Sequence, residues 1–267
     1  MRLACQEQLL PGDTLEARWD AAQAAGFDGI ELRGRGGEGL AARLPELRAA
    51  ARAGVVMPTV CPEMDHFLGD FDAERRADAI RQMRSQLSVI AELGGDGVLT
   101  PASWGMFSLR LPPFTPPRDP EGDRAVLLEG LAELGEHAAR EGVWLAIEPI
   151  NRYEDHMVNR VADAVALIER LPGSVRVGVC PDVFHMNIEE DSIAGALAEA
   201  AEHVVHLHVG DSNRLQPGAG HLDFEAVFAA LDEAGYDGWA ALECRLRGDR
   251  DEALRSGAEV LRKAMRA

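Results

Sequence analysis

The sequence predicts an α/β fold, a (β/α)8 TIM barrel built as one domain from residues 1–267, and three observations carry that prediction. Eight short β-type runs recur along the chain. Segments of helical periodicity lie between them, several ending in glycine at the expected C-cap. The length of 267 residues matches the about 250 typical of such a barrel. Alternating strand and helix closes most readily into a parallel barrel, with an open doubly wound sheet as the alternative. No GxGxxG or GK[S/T] loop follows the first run, so the nucleotide-binding forms of the open sheet have no support. The chain shows no internal repeat, low-complexity tract or interdomain linker.

In order, the first run is RLACQ at 2–6, followed by the helical stretch TLEARWDAAQAAG. GIELRG at 29–34 and VVMPTVC at 55–61 form the second and third runs, and PEMDHFLGDFDA at 62–73 reads as an irregular loop. GVLTPAS at 97–103 is the fourth. The proline-rich segment SWGMFSLRLPPFTPPRDPEGD, residues 103–123, then predicts a long loop over the barrel mouth, a lid or an oligomer contact. The helical EGLAELGEHAAREG leads into VWLAIEPI at 143–150, and NRVADAVALIERLPG into RVGVCPD at 176–182. VVHLHVGD at 204–211, the helical LDFEAVFAALDEAGYDG and WAALEC at 239–244 complete the pattern.

Composition narrows the function. With 46% hydrophobic and 27% charged residues, the chain resembles an ordinary globular protein rather than a disordered or membrane one. Its 27 basic against 45 acidic residues give a formal charge of −18, which disfavours a nucleic-acid partner. Cys5, Cys61, Cys180 and Cys244 are widely spaced, with no CxxC pair and no secreted disulfide framework, as expected in a reducing compartment. No apolar stretch reaches spanning length and the N-terminus lacks a cleavage signal, so no membrane partner is expected and the expected location is the cytoplasm.

Barrel active sites sit where strands end and βα loops begin. That filter singles out Glu148, Asp182, His208 and Glu243, separated by 34, 26 and 35 residues, each about one βα unit of roughly 30 residues. Three carboxylates and an imidazole at successive strand ends suit Mn²⁺, Mg²⁺ or Co²⁺ better than a thiolate-rich structural zinc site. Each has a plainer alternative: Glu148 as an N-cap or loop residue, which the following Pro149 disfavours, Asp182 as an N-cap, His208 or His206 as a hydrogen-bonded barrel histidine, Glu243 paired with Arg245 or Arg247 at the rim. Four together favour the metal centre. Glu154, His185 and Arg214 lie close by in sequence and offer a base, an imidazole and a cation to orient a polyhydroxy substrate. Glu31 also ends a strand, but nothing pairs with it early in the chain, and a structural salt bridge at the rim is expected.

The strings EPINRYE, CPDVFHMNIEED, HLHVGDSNRLQPGAGHLDF and the late LEC resemble the xylose-isomerase-like superfamily, and within it the D-tagatose/D-psicose ketose 3-epimerases. The resemblance is close over 143–244, while the earlier half carries only the general pattern, as in AGFDGIEL. It implies that Glu148, Asp182, His208 and Glu243 bind one divalent metal, manganese above others, with Glu148 and Glu243 on opposite faces of a ketose as catalytic acid and base. It further implies that Glu154, His185 and Arg214 hold the sugar, that Cys61 after the third strand and Trp104 after the fourth lie near it, and that the protein assembles as a dimer or tetramer.

A metal on the ketose carbonyl and neighbouring hydroxyl would stabilise a cis-enediolate while one glutamate removes the C3 proton and the other returns one from the opposite face. A single base shuttling between carbons would instead give aldose–ketose isomerisation. The rivals are therefore an aldose–ketose or hydroxypyruvate isomerase and an inosose dehydratase on a similar quartet. An abasic-site endonuclease is more distant, because it needs further histidines early in the chain, where His66 alone precedes residue 137.

Overall fold

The computed structural model describes residues 1–107 and 115–266. Strands and helices alternate as β1 (Arg2–Gln6), α1 (Leu15–Ala25), β2 (Gly29–Arg35), α2 (Gly39–Ala42), α3 (Leu44–Arg52), β3 (Thr59–Glu63), α4 (Ala73–Glu92), β4 (Gly97–Pro101), α5 (Pro120–Glu141) and β5 (Trp144–Glu148). There follow α6 (Val161–Ile168), β6 (Val177–Val179), α7 (Val183–Glu189), α8 (Ile193–Ala200), β7 (Leu207–Val209), α9 (Phe224–Glu233), β8 (Trp239–Leu242) and α10 (Arg250–Ala264). The eight strands form one parallel sheet in the order β6-β5-β4-β3-β2-β1-β8-β7, and the β6 and β7 sides meet through single bridges, Val179 to Val204 and Asp182 to His208. The barrel prediction holds.

Local chemistry sets the helix ends as the sequence suggested. Gly26 and Gly142 adopt left-handed φ of 98° and 77° just past α1 and α5, a conformation that side chains with a Cβ avoid. Asp72 and Asp119 cap α4 and α5, accepting backbone N–H groups of Glu74 at 2.8 Å and Gly122 at 2.7 Å. Among the described residues, no helix is long and apolar enough to cross a membrane.

The two-residue alternation of the strands divides their side chains. Leu3, Ile30, Leu32, Val60, Val98, Leu145, Ile147, Val179, Leu207 and Leu242 join the helices in the main buried cluster. Leu99, Trp144, Ala146 and Cys180 form a separate buried cluster, as do Ala4, Trp239 and Ala241, and these fill the barrel interior. Polar residues of the same inward set lie towards the strands' C-terminal ends.

Most of the later strands are shorter than their predicted runs, β6 and β7 most of all, and two further differences lie in the third strand and the proline-rich segment. The third strand is Thr59–Glu63 and not 55–61, paired Leu32 to Val60 and Arg33 to Cys61. Val55 and Met57 are buried outside it and Pro58, which lacks an N–H, directly precedes it, so the apolar run overstates the strand. Cys61 consequently lies within this strand rather than after it. The proline-rich segment ends at Asp119, because Pro120 occupies the first turn of α5 where its missing N–H costs nothing. Of that segment, residues 108–114, on which the expected lid or oligomer contact falls, lie outside the described residues. Its described ends are fastened: Ser103 Oγ donates to the buried Asp155, and Arg118 reaches the Gly69 carbonyl at 2.6 Å.

Candidate active site

Glu148 closes β5 before Pro149, Asp182 caps α7, His208 lies in β7, and Glu243 follows β8. The fold brings all four together: one potential ligand atom from each lies within 4.8 Å of the others. His208 Nδ1 is the centre of the group, 3.2 Å from Glu148 Oε1 and 2.6 Å from Glu243 Oε2. Asp182 Oδ1 accepts the Phe184 N–H at 2.8 Å as an N-cap, while Oδ2 faces the group. Glu243 pairs with Arg214 at 3.0 Å and with neither arginine that follows it in sequence.

The electrostatics follow from burial and neighbours. Burial raises the Glu148 carboxyl above the usual carboxylate range. Burial pushes Glu243 the same way, but Arg214 and His208 outweigh it and hold Glu243 well below that range. Burial disfavours charge on His208, yet the surrounding groups, Glu31, Glu243 and Glu148 among them, keep the ring protonated to well above its ordinary pKa.

These side chains fit a divalent cation. Oxygen ligands with one imidazole are a hard-metal donor set. Glu243 Oε2 is buried and has no hydrogen-bond partner beyond the close approach of His208 Nδ1 at 2.6 Å. Buried polar atoms are normally satisfied, so an unpaired carboxylate oxygen facing three other ligand atoms marks a place for a positive charge. Arg214 partly supplies one, ion-paired to Asp182 and Glu243. Its φ of 59° is the left-handed conformation that non-glycine residues rarely adopt, and it directs the guanidinium into the group.

A cavity of about 400 Å³ opens over these groups, lined by Glu148, Glu243, Arg214, His185, Glu154, Trp104 and Cys61 among others. Every expected substrate-side residue therefore faces one space. A larger groove of about 560 Å³ on the flank between α4 and α5 contains none of them. Glu154 accepts from Trp104 Nε1 at 3.0 Å, and Trp104 is 60% exposed at the rim.

The sequence reading missed one neighbour of the site and misassigned another. Asn151 donates through Nδ2 to His185 Nδ1 at 2.7 Å and to Glu154 Oε1 at 2.8 Å, while its backbone N–H also reaches His185 Nδ1 at 3.2 Å. His185 Nδ1 is thus an acceptor, which leaves Nε2–H to donate into the cavity. Glu31 is the other. It is fully buried inside the barrel and bonded to His206 and His208, so the expected rim salt bridge is incorrect. A barrel interior excludes water, and a carboxylate there needs dedicated donors rather than one surface cation.

The profile of the family described as "Xylose isomerase-like TIM barrel" matches residues 19–264. The chain is 38% identical over 264 residues to the 3-dehydro-D-guloside 4-epimerase of Escherichia coli strain K12, covering 98% of this chain and 99% of that protein. It is 32% identical over 221 residues to the D-psicose 3-epimerase of Agrobacterium fabrum strain C58, covering 82% and 75%. Among solved structures, the apo form of a 3-keto-D-glucoside 4-epimerase from E. coli superposes with a TM-score of 0.91 at 38% identity, over 98% of this chain and 99% of the other.

Proposed function

The chain belongs to the xylose isomerase-like TIM barrel family, and from that premise we propose that it is a sugar epimerase that inverts a hydroxyl-bearing carbon next to a ketone. One observation carries the reading: two glutamates, Glu148 and Glu243, approach a single imidazole nitrogen at 3.2 and 2.6 Å and line the same cavity. Inversion requires a proton to leave one face of a carbon and another to arrive on the opposite face. One carboxylate takes the proton while the other, protonated, delivers its own, and the roles exchange in the reverse direction. Between them, His185 Nε2–H and the Arg214 guanidinium donate to substrate oxygens, and Glu154, oriented by Asn151 and Trp104, accepts from hydroxyls.

Glu148, Asp182, His208 and Glu243 would hold one divalent metal, with Mn²⁺ our choice and Mg²⁺ or Co²⁺ the alternatives. Bound there, the ion would polarise the ketone and make the adjacent C–H more acidic. Four free thiols suit a reducing compartment, and we place the enzyme in the cytoplasm.

The first substrate class is a free ketose, with inversion at C3. A second is a 3-keto-glycoside, inverted at C4. In both, the reacting carbon flanks a ketone and bears a hydroxyl, so the same two glutamates serve. Two observations favour the second: the 38% identity extends over the whole length of the E. coli 4-epimerase, and the cavity continues past the glutamates to Gln8 and the Arg33–Glu63 ion pair, a polar wall with room for a glycosidic substituent.

The test is to incubate the Mn²⁺-supplied protein in D₂O with fructose, tagatose, psicose, ribulose, xylulose and a 3-keto-glucoside, and to follow the products by NMR. Deuterium at C3 of an epimeric ketose assigns the first class, and deuterium at C4 of the glycoside assigns the second. Exchange with none of them overturns the reading in favour of a dehydratase or a hydroxypyruvate-type isomerase. Chelation should abolish whichever activity is found, and Mn²⁺ or Co²⁺ should restore it.

A further inference from the structure

We propose that Glu31 is the positioning residue of the cation site, holding the His208 ring so that Nδ1 faces the cavity and Nε2 faces the barrel interior. The proposal rests on the metal reading of the quartet given above, and it extends that reading to a residue that lines no part of the cavity.

The geometry is unusually complete for one carboxylate. Glu31 Oε1 accepts from His208 Nε2 at 2.9 Å and Gln6 Nε2 at 3.1 Å, while Oε2 accepts from His206 Nε2 at 2.8 Å and Thr59 Oγ1 at 2.8 Å. An ionised carboxylate has about four lone-pair sites, and here each oxygen has two donors. The donors come from both sides of the barrel: Gln6 is the register partner of Glu31, Thr59 begins β3, and the two histidines lie in or beside β7. Gln8 donates to Gln6 Oε1 at 2.7 Å, which turns the Gln6 amide so that its NH₂ meets Glu31.

A fully buried charge is costly, and it is tolerated only when hydrogen-bonded throughout. Packing alone does not call for it, since an apolar residue would fill the same volume without needing four donors. What the carboxylate does provide is a fixed acceptor for His208 Nε2–H. With a cation bound, that bond would keep the ring proton on Nε2 and leave the Nδ1 lone pair on the side of Glu148 and Glu243. His206 shows how specialised the arrangement is: its Nδ1 is buried with no partner, so its one side-chain hydrogen bond is to Glu31. Histidines that bind metals are commonly oriented by a carboxylate on the far nitrogen, and loss of such a partner weakens metal binding about 10–100-fold.

Glutamine at position 31 cannot substitute, because its NH₂ would confront two of the four donors. The experiment measures Mn²⁺ affinity by calorimetry for the wild type and Glu31→Gln, and records imidazole ¹⁵N NMR spectra of the wild type loaded with diamagnetic Zn²⁺ or Mg²⁺. The expected results are a loss of about 10–100-fold in affinity and a loaded His208 that is protonated at Nε2 and ligated through Nδ1. A purely packing role would lower thermal stability but leave affinity unchanged. Affinity of Glu31→Gln within threefold of wild type, or a wild-type ring ligated through Nε2, overturns the proposal. Should Glu31→Gln fail to fold, the wild-type spectrum decides alone. A wild type that binds no Mn²⁺ refutes the metal reading itself and this proposal with it, an outcome distinct from equal binding by both proteins.

Discussion

The late and early halves of the barrel supply polar groups at different depths. Strands β5 to β8 carry Glu148, Asp182, His208 and Glu243 to the mouth, where the Glu243 side chain keeps 23% exposure. Strands β1 to β3 place Gln6, Glu31 and Thr59 one layer lower, and the Glu31 side chain has no exposure at all. The same side-chain type thus does different work. A carboxylate at the mouth can meet a ligand and exchange a proton, whereas one beneath it can act only through the group it holds. Depth separates chemistry from support, and the comparison can be broken from either side.

The largest effect is expected at the mouth. Glu148→Gln and Glu243→Gln each keep size and polarity but cannot accept the substrate proton, so turnover should fall by ~10³-fold or more, measured as deuterium incorporation from D₂O. A variant that retains near-normal exchange would remove that glutamate from the acid–base pair. Next is Arg214→Ala, which deletes a charged donor to substrate oxygens. Hydrogen bonds to charged groups contribute ~1.5–3 kcal/mol, so kcat/KM should fall about 10–100-fold with metal content unchanged. Metal lost from that variant would show that Arg214 supports the cation site and does not bind substrate.

The same division explains what could be read from the sequence. The mouth residues were legible because each interrupts an apolar run at the end of a strand, and they recur at the spacing of one βα unit. Glu31 was not. Its imidazole partners are 175 and 177 residues away in sequence, and barrel closure alone brings them together. Asn151 was missed for a related reason, since its role depends on a His185 nitrogen 34 residues on. The third strand was placed too early because the burial of Val55 and Met57 beneath the helices resembles strand burial when only apolarity is read.

Asn151 offers a smaller test at the mouth. Asn151→Ala removes the side-chain donor shared by His185 Nδ1 and Glu154 Oε1 while the backbone N–H to His185 remains, and a hydrogen bond of this kind contributes ~0.5–1.5 kcal/mol. A fall in kcat/KM of up to about tenfold is expected, with Mn²⁺ affinity unchanged, and an unchanged rate would mean that His185 needs no such guide.

The smallest expected effect concerns how the mouth is held. The deep residues are fixed by strands, but Arg214 stands on a loop organised by Asp211, whose carboxylate accepts backbone N–H groups of Ser212 and Gly218 at 2.8 Å and Leu222 at 3.2 Å. Burial pushes Asp211 up, and these backbone donors outweigh it, so its pKa in the fold is lowered. The sign follows directly. A carboxylate with a lowered folded pKa stabilises fully above its unfolded value of about 3.9, and that contribution disappears as pH falls through the folded value. Thermal midpoints of wild type and Asp211→Asn should therefore differ most near neutrality and converge below about pH 4. Curves that stay parallel across that range would show that the Asp211 charge does not hold the loop, and that Arg214 is placed by its own backbone bonds, the Arg214 N–H to the Asp211 carbonyl at 2.8 Å and the Arg245 N–H to the Arg214 carbonyl at 2.7 Å.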